Sequence, residues 1–298
     1  MPAQKLTDRV YVIPGRTNTG VLVIDNNECV IIDTGIDEDS GRKVFNTIKS
    51  MNLKIRAIIN THHHADHIGG NAIIVKRTNA SVYASPEDKP FIEKPVLEPL
   101  YLYGAYPPKI LRTKLLEAEG VPVRDIDELR REVGFDVMQL PGHTMGMVGV
   151  HYDRVLFTAD AFFPTEIIRK YGVPYHLNVS LALDSLKRLR DAASGYSQIV
   201  PAHGDVANPQ GALATIDENI SAITRLRNVI INQLSGGPMG LEELVLRVLI
   251  NEGLDLGSVH NYLLNRSAVL SYIAWLSDEG LIELSLSDNR PVVHTVKR

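Results

Sequence analysis

Short apolar runs alternate with turn residues along the first 35 positions of the chain. The runs RVYVIPG, TGVLVI and CVIIDTG are rich in β-branched residues and are separated by Gly, Asn and Asp. This pattern predicts strands joined by hairpins, with DNNE as the second turn. Farther along, Val44, Ile48 and Met51 recur at helical spacing, and the apolar run IRAIIN after them predicts a short buried strand.

Strand and helix patterns continue to alternate up to about residue 235. The segments IGGNAIIVKRTN and LALDSLKRLRDAA predict helices, whereas ASVYAS, VGFDVMQLPG, RVLFTAD and QIVPAHGD predict strands. Residues 86–125 fit no single period and contain repeated prolines and tyrosines, so we expect an inserted, partly helical excursion there. Asn208 and Pro209 mark the start of a long helix. This alternation is typical of an α/β domain, which we place at residues 1–235.

A second, smaller unit follows the linker SGGPMG at residues 235–240. Helical patterns lie near 241–252, 258–264 and 267–279, and LIELSLSDNRPVVHTVK after them predicts two short strands around a polar turn. Three helices followed by a hairpin are typical of a winged helix. The sequence therefore predicts a winged-helix-like α+β domain at residues 241–298.

Composition and charge narrow the class of protein. The chain has 298 residues and a formal net charge of -4, and it contains no block of lysine and arginine, so a general affinity for nucleic acid or anionic membranes is not expected. It has no 18-residue apolar run and no apolar stretch of signal-peptide length at its N-terminus, which predicts a soluble cytoplasmic protein. A single cysteine, Cys29, excludes an internal disulfide and is expected to be buried in a strand.

The stretch INTHHHADHIGG contains four histidines and an aspartate within six positions. Because residues two apart in an extended segment point the same way, His62 and His64 can approach one metal ion while His63 points elsewhere. Asp66 and His67 follow where a helix begins and can turn toward a neighbouring point. Such nitrogen and oxygen donors suit Zn, Fe or Mn.

Three more potential ligands lie at the ends of later apolar runs. His143 follows DVMQL, Asp160 ends RVLFTAD, and His203 ends QIVPAHGD. Since α/β proteins place their sites at the ends of strands, these residues are expected to join the histidine stretch in one metal centre.

With these seven positions the chain resembles the metallo-β-lactamase superfamily of hydrolases, in particular its glyoxalase II-like and lactamase-like members. The motif H-x-H-x-D-H and the three later residues stand in the order of that family. The resemblance implies a four-layer αββα sandwich and two divalent metal ions, zinc first, with Fe or Mn as alternatives. It also implies that Asp33, in IIDTG, buttresses the metal loop. The resemblance implies the following ligands: His62, His64 and His143 for one ion, Asp66, His67 and His203 for the other, and Asp160 as the bridge between them.

The chemistry that follows from the resemblance is hydrolysis. The expected nucleophile is a hydroxide bridging the two metals, and Asp66 is a candidate to pass a proton to the leaving group. Aromatic residues that suit an apolar acyl or lactone group lie in two presumed pocket segments: Tyr101, Tyr103, Tyr106, Phe162, Phe163, Tyr171 and Tyr175. We therefore expect a small-molecule thioester, ester or lactone as substrate.

Other activities of a two-metal site remain open at this point. A phosphodiesterase or endoribonuclease is the main alternative, because the same segments contain cationic residues that could hold phosphates: Lys89, Lys94, Lys109, Arg169 and Lys170. Of these, Lys94, Lys109 and Arg169 are the first candidates for mutation. β-Lactam hydrolysis is expected at most as a side reaction. The basic residues with which glyoxalase II binds glutathione have no clear counterpart here. His176 follows the Asp160 loop and is a further candidate to face substrate.

The charge of the small unit argues against a nucleic-acid reader. Residues 241–298 contain eight acidic and five basic residues, a net charge of -3, and the segment SAVLSYIAWLSDEG has no lysine or arginine. We interpret this unit as a packing, lid or dimer element, which leaves a homodimer open.

Overall fold

The computed structural model describes residues 2–25, 27–254 and 256–296. Its first sheet has seven strands that lie side by side in chain order. The first four strands are antiparallel, and the fourth to seventh are parallel. These strands are β1 (Gln4–Lys5), β2 (Val10–Ile13), β3 (Thr19–Val23), β4 (Glu28–Ile32), β5 (Lys54–Ile59), β6 (Ser81–Ala84) and β7 (Val123–Asp125).

Six helices accompany this sheet: α1 (Glu38–Ser50), α2 (Ala65–Ile68), α3 (Asn71–Thr78), α4 (Lys89–Glu93), α5 (Leu97–Tyr103) and α6 (Ile126–Val133). The first four bury apolar residues on its outer face, whereas α6 follows β7 and buries Ile126 and Leu129 in the core between the two sheets. Val44 and Ile48 of α1 and Ile74 of α3 bury their side chains against Ile31 and Ile58 of the sheet. The helical spacing of these apolar residues is what directs one face of each helix onto the strands.

The second sheet has four strands, in the order β11-β10-β9-β8, with only β10 and β11 parallel. Three helices belong to it, and α8 and α9 bury Leu186, Ile216 and Ile223 in the core on its outer side. The elements are β8 (Asp136–Gln139), β9 (Val148–Tyr152), β10 (Val155–Ala159), α7 (Thr165–Tyr171), α8 (Val179–Ala192), β11 (Gln198–Pro201) and α9 (Pro209–Gln233).

The two sheets pack face to face. Val30 and Ile32 of β4 pack with Val150 and Phe157 of the second sheet, whereas Cys29 and Ile31 of the same strand face the helices. Strands with both faces buried require apolar residues at odd and even positions, which explains the continuous run CVII. The four-layer αββα fold is confirmed, and Cys29 is buried as predicted.

Two details of this domain differ from the sequence prediction. The excursion at 86–125 does contain α4, α5 and a 3-10 turn at Lys109–Leu111, but its last residues form β7, which pairs with β6. A three-residue edge strand carries too little alternation to be recognised by pattern. Asn26, in the predicted DNNE turn, lies outside the described residues.

The prediction of three separate helices before the C-terminal hairpin is wrong. One continuous helix, α11 (Val259–Asp278), follows α10 (Leu241–Asn251). The segment between the two predicted helices, Asn265–Arg266–Ser267, contains neither glycine nor proline, and the Asn265 side chain donates to the carbonyl of Asn261 within the helix. Nothing therefore interrupts the backbone ladder there.

The predicted hairpin is present. It consists of β13 (Ile282–Ser287) and β14 (Arg290–Thr295), and β12 (Met239–Gly240) pairs with β14 as a third strand. Asp288 and Asn289 turn the hairpin with φ of 49° and 61°, the left-handed pair of a tight type I′ connection. Of the residues counted in the charge of this unit, Asp255, Lys297 and Arg298 lie outside the described residues.

The C-terminal unit shares a core with the second sheet. Leu244, Val248 and Tyr272 belong to the same apolar cluster as Leu226 and Ile230 of α9. The winged-helix assignment and the boundary at 235–241 remain proposals. In the described part of the chain, no helix combines the length and apolarity that crossing a membrane requires.

Candidate metal centre

The predicted ligands lie at one edge of the two sheets, on loops or in the short helix α2. The histidine stretch leaves the carboxyl end of β5 and runs into α2, and His143 lies in the connection between β8 and β9. Asp160 directly follows β10, and His203 follows β11. The sandwich thus brings together residues that are up to 141 positions apart, from His62 to His203.

The side chains form two groups with one aspartate between them. The first ligand group is His62, His64 and His143, whose ring nitrogens, together with a carboxylate oxygen of Asp160, lie within 4.8 Å of one another. Within this group His64 Nδ1 and His143 Nε2 are 2.9 Å apart. All four residues are buried.

The second ligand group is Asp66, His67 and His203, which likewise offer ligand atoms within 4.8 Å of one another. Asp66 Oδ1 lies 3.8 Å from His67 Nε2, and Asp66 Oδ2 lies 3.5 Å from His203 Nε2. Thr17 Oγ1 donates to Asp66 Oδ2 at 3.1 Å, which fixes this carboxylate from the side of the first sheet.

Asp160 faces both groups through different oxygens. Its Oδ2 lies 3.3 Å from His143 Nε2, whereas its Oδ1 lies 3.6 Å from His67 Nε2 and 3.4 Å from His203 Nε2. One carboxylate therefore stands between the two groups with one oxygen directed at each.

These residues fit divalent metal ions. Ligand atoms about 2.1 Å from a tetrahedral zinc ion are roughly 3.4 Å from one another, close to the separations seen here. Among the described residues, His62 Nε2, His67 Nε2 and Asp160 Oδ1 are buried without a hydrogen-bond partner at normal distance. Buried polar atoms rarely stay unpaired, so atoms that converge in this way are explained by a cation between them.

Hydrogen bonds on the far side of three rings fix which nitrogen points to the centre. His67 Nδ1 donates to Asp33 Oδ2 at 2.8 Å, His143 Nδ1 to the carbonyl of Tyr175 at 2.9 Å, and His203 Nδ1 to the carbonyl of Arg16 at 2.7 Å. Each ring then presents Nε2 as its free donor atom, the usual arrangement of a metal-binding histidine.

Asp33 supports the histidine stretch from β4, as the sequence led us to expect. Besides His67, it accepts from the backbone nitrogen of Thr61 at 2.9 Å and from Thr61 Oγ1 at 2.8 Å. Asp33 has φ of 60°, and Ala159, next to Asp160, has φ of 51°. The left-handed region is costly for residues other than glycine, and such strain is concentrated at functional sites.

Burial is the main influence on the pKa of the histidines in the first ligand group. It lowers the pKa of His62, His64 and His143 below the ordinary histidine value. These rings are therefore held neutral, which is the form that binds a metal ion.

Nearby carboxylates set the pKa of the histidines in the second ligand group. Burial alone would lower the pKa of His203, but the negative charge of Asp160 has the larger effect and raises this pKa to about 9. Burial is likewise outweighed at His67, where Asp33, Asp66 and Asp160 raise the pKa well above its ordinary value. This part of the centre attracts positive charge, which a divalent cation would supply.

Three of the seven aromatic residues predicted to form pocket walls contact histidines of this region. The ring centroid of Phe163 lies 5.7 Å from that of His143, Tyr175 lies 5.4 Å from His143, and Tyr101 lies 6.3 Å from His63. Phe162 is instead part of the core behind the second sheet, and the remaining three are exposed: Tyr103, Tyr106 and Tyr171. Lys94, Lys109 and Arg169, the candidates for holding phosphate, are also exposed.

Two acidic residues near the histidines were not recognised from the sequence. Asp88, after β6, accepts hydrogen bonds from His63, and Glu98 of α5 is buried beside His63 and His64. One feature of the sequence could have pointed to Asp88, because it follows a strand that ends at the edge where the ligands lie. No feature of the sequence pointed to Glu98. His176 is buried and its ring centroid lies 6.4 Å from that of His143.

Comparison with known proteins places this site in a family. The family model described as "Metallo-beta-lactamase superfamily" matches residues 12–203. A hydroxyacylglutathione hydrolase of Aeromonas salmonicida is 26% identical over 183 residues, 60% of this chain and 59% of that protein. One of Vibrio cholerae is 28% identical over 211 residues, 70% of each chain. The chain thus spans less than two thirds of the first of these relatives.

Solved structures share the fold. A metallo-beta-lactamase family protein from Thermus thermophilus superposes with a TM-score of 0.70 at 19% identity, over 98% of this chain and 100% of the other. A beta-lactamase domain protein from Burkholderia ambifaria gives 0.70 at 16% identity, over 99% and 95% of the two chains. Since the family model covers well over half of the sequence and includes every candidate ligand, the chain belongs to the metallo-beta-lactamase superfamily.

Proposed function

We propose that this protein is a metal-dependent hydrolase with two divalent ions at the centre described above. The observation that carries the proposal is the position of Asp160, whose two oxygens face the first and the second ligand group. A carboxylate placed in this way would hold both ions. The names of the relatives, which are hydrolases, agree with this activity.

The first ligand group would hold one ion, the second ligand group the other, and Asp160 both. The donors are five imidazoles and two carboxylates, which suit zinc, with iron or manganese as the alternatives that metal analysis distinguishes. When bound, such a pair of ions generates a nucleophile from water near neutral pH and polarises the oxygen of the scissile group.

The protein's own residues position the reaction. Asp66 is the more accessible of the two carboxylates of the centre, with 27% of its side chain exposed. It can take up the proton that water loses when it becomes the nucleophile and pass this proton to a departing thiol or alcohol. The hydroxyl of Thr17 holds Asp66 Oδ2 in place for this step. Phe163 and Tyr175 exclude water on the side of His143.

We infer that the substrate is a small acyl compound, namely a thioester, ester or lactone. Aromatic rings lie against the histidines, whereas the three cationic side chains considered for phosphate binding are exposed. The relatives are named hydroxyacylglutathione hydrolases, and a hydroxyacylglutathione is a thioester, an acyl compound of the proposed class.

The test compares substrates on one zinc-saturated preparation. We expect kcat/KM for an acyl thioester or a lactone to exceed that for a bis-aryl phosphodiester, with β-lactams slower than either acyl substrate and RNA uncleaved. The matched control is the same preparation stripped with a chelator and then reloaded. A ratio well below one, or cleavage of RNA, would assign the site to phosphodiester chemistry. Lack of turnover in every metal form would refute the hydrolase proposal.

A further inference from the structure

Asp88 is a buried carboxylate that hydrogen-bonds three separate segments. It is 1% exposed and lies between β6 and α4. Its Oδ1 accepts from the backbone nitrogen of His63 at 3.1 Å and from Nδ1 of the His63 ring. Its Oδ2 accepts from Thr144 Oγ1 at 3.0 Å and from Ser85 Oγ at 3.4 Å. A carboxylate needs several donors when it is removed from water, and Asp88 finds them here.

These donors are next to the first ligand group in the chain. His63 lies between His62 and His64, and Thr144 directly follows His143. One carboxylate therefore holds the neighbours of all three histidines of that group. Two of the three residues that donate to Asp88, His63 and Thr144, come from the loops that carry the first ligand group. Asp33 accepts hydrogen bonds from His67 of the second ligand group and from Thr61, whose hydroxyl lies 3.1 Å from His62 Nδ1.

Packing leaves these loops little freedom around Asp88. The His63 ring stacks on Phe91 with centroids 4.3 Å apart and planes at 19°. A Cβ at Gly146 would lie 2.3 Å from Ser85 Oγ and 2.6 Å from Asp88 Oδ2. The backbone that follows His143 thus passes directly over the carboxylate. A change in the hydrogen bonds of Asp88 is expected to move the two loops relative to each other.

We propose that Asp88 is a positioning residue that sets the distance between the His62–His64 segment and the His143 loop, and thereby the metal affinity of the first ligand group alone. The inference rests on the proposed function only for the assignment of these three histidines to one ion. Asp88 belongs to neither ligand group. Asp33 differs from it, because Asp33 bonds His67 of the second ligand group directly and reaches His62 only through Thr61.

The test measures the affinity of each ion separately. In Asp88→Asn an amide replaces one acceptor, so the His63 ring or the Thr144 hydroxyl loses its partner while side-chain volume is kept. Loss of such an outer hydrogen bond typically lowers metal affinity by about 10–100-fold. We expect that loss for one of two Co²⁺ ions in competition with a chromophoric chelator, together with a changed d–d absorption spectrum. Affinity for the other ion should equal that of the unchanged protein.

Three further variants make the result unambiguous. Thr144→Val removes one donor without opening a cavity and should weaken the same ion, whereas Thr144→Ser keeps the hydroxyl and should restore its affinity. Asp125→Asn is the matched control, because Asp125 is a carboxylate that caps α6 through the backbone nitrogen of Asp127, apart from the ligand loops. It should leave both ions unaffected.

Two ions with unchanged affinity in both Asp88→Asn and Thr144→Val would overturn the inference. Equal weakening of both ions would do the same, because it would indicate general loss of the fold. If Asp88→Asn does not fold, the pair Thr144→Val and Thr144→Ser decides alone. Selective loss of one ion in a protein that hydrolyses no substrate would uphold Asp88 while refuting the proposed function.

Discussion

Asp160 is the residue on which the proposed two-ion arrangement depends most directly. Its oxygens face both ligand groups, so its removal would take one donor from each proposed ion. We expect Asp160→Ala to weaken binding of the second ion and to lower turnover by at least about 100-fold, more than loss of an outer hydrogen bond would. Elemental analysis of the saturated protein and single-substrate kinetics measure both effects. An Asp160→Ala protein with two ions and normal turnover would contradict the bridging role.

The raised pKa of His203 makes metal binding at the second ligand group depend on pH. Without metal, Asp160 keeps His203 protonated up to a pKa of about 9, and a metal ion must displace that proton. Deprotonation of His203 should therefore increase the affinity for this ion as the pH rises from 7 to about 9. Above that pH His203 is neutral and should contribute no further increase. Calorimetry in buffers with different ionisation enthalpies counts the released protons. Binding without proton release at pH 7 would show that His203 is neutral in the metal-free protein.

The convergence of the seven proposed ligands was predictable because their signal is local. The residues His62 to His67 form a motif, and the three later ligands each follow an apolar run that is recognisable as a strand. Asp88 and Glu98 were not predictable, because their roles depend on how the excursion at 86–125 folds back beside the histidine stretch. Three of the seven aromatic residues are exposed rather than in the pocket. This could not be predicted either, because the spacing of apolar residues along the sequence does not show how their segments fold in space.

At the scale of elements, the His143 loop is fixed by its contact with α8. Gly142 has φ of 134°, and a Cβ there would lie 2.4 Å from the backbone nitrogen of Ala182. Asn178, the N-cap of α8, also donates its backbone N–H to the carbonyl of Gly142 at 3.0 Å. The start of α8 and the loop with His143 are therefore in direct backbone contact.

We expect Gly142→Ala to destabilise the protein and to weaken the ion held by His143. The matched control is Gly134→Ala, since Gly134 also has positive φ, 80°, but among the described residues no atom lies within 4 Å of an added Cβ. The control should lose about 1–2 kcal/mol from backbone strain, whereas Gly142→Ala should lose roughly 1–3 kcal/mol more through the clash. Urea unfolding and metal titration measure the difference. Equal effects in the two variants would show that α8 does not constrain this loop.

Elements with long, uninterrupted patterns were predicted well, and boundaries were not. The apolar residues of β4 and β5 are buried, and α9 buries Ile216, Ile223 and Ile230 at helical spacing, so the sequences of these elements carry the signal. The continuous α11 was divided in two, because the polar residues Asn265, Arg266 and Ser267 interrupt its apolar pattern without interrupting its backbone. β7 was missed, because its place in the sheet depends on its pairing with β6.

On the scale of the whole molecule, the C-terminal unit contacts the loop that orients His143, a proposed metal ligand. Ser271 Oγ of α11 donates to the carbonyl of His176 at 2.5 Å, and the Tyr272 hydroxyl donates to that of Pro174 at 3.4 Å. The residue between them, Tyr175, accepts the hydrogen bond from His143 Nδ1 through its carbonyl. Packing of this unit against α9 is therefore expected to matter for the metal centre itself.

We expect Ser271→Ala to weaken the ion held by His143 by up to about 10-fold, the net value of one hydrogen bond, and to leave the ion at the second ligand group unchanged. Ser277→Ala is the matched control, because it makes the same substitution about 9 Å farther along α11. Both variants keep the full chain, which avoids exposing the core that α9 shares with Leu244 and Val248. Metal affinity by chelator competition and the melting temperature of the metal-free protein are measured together. A Ser271→Ala protein with a lowered melting temperature but normal affinity for both ions would limit the C-terminal unit to a packing role. Affinity lost selectively for one ion would make α11 part of the support of the metal centre.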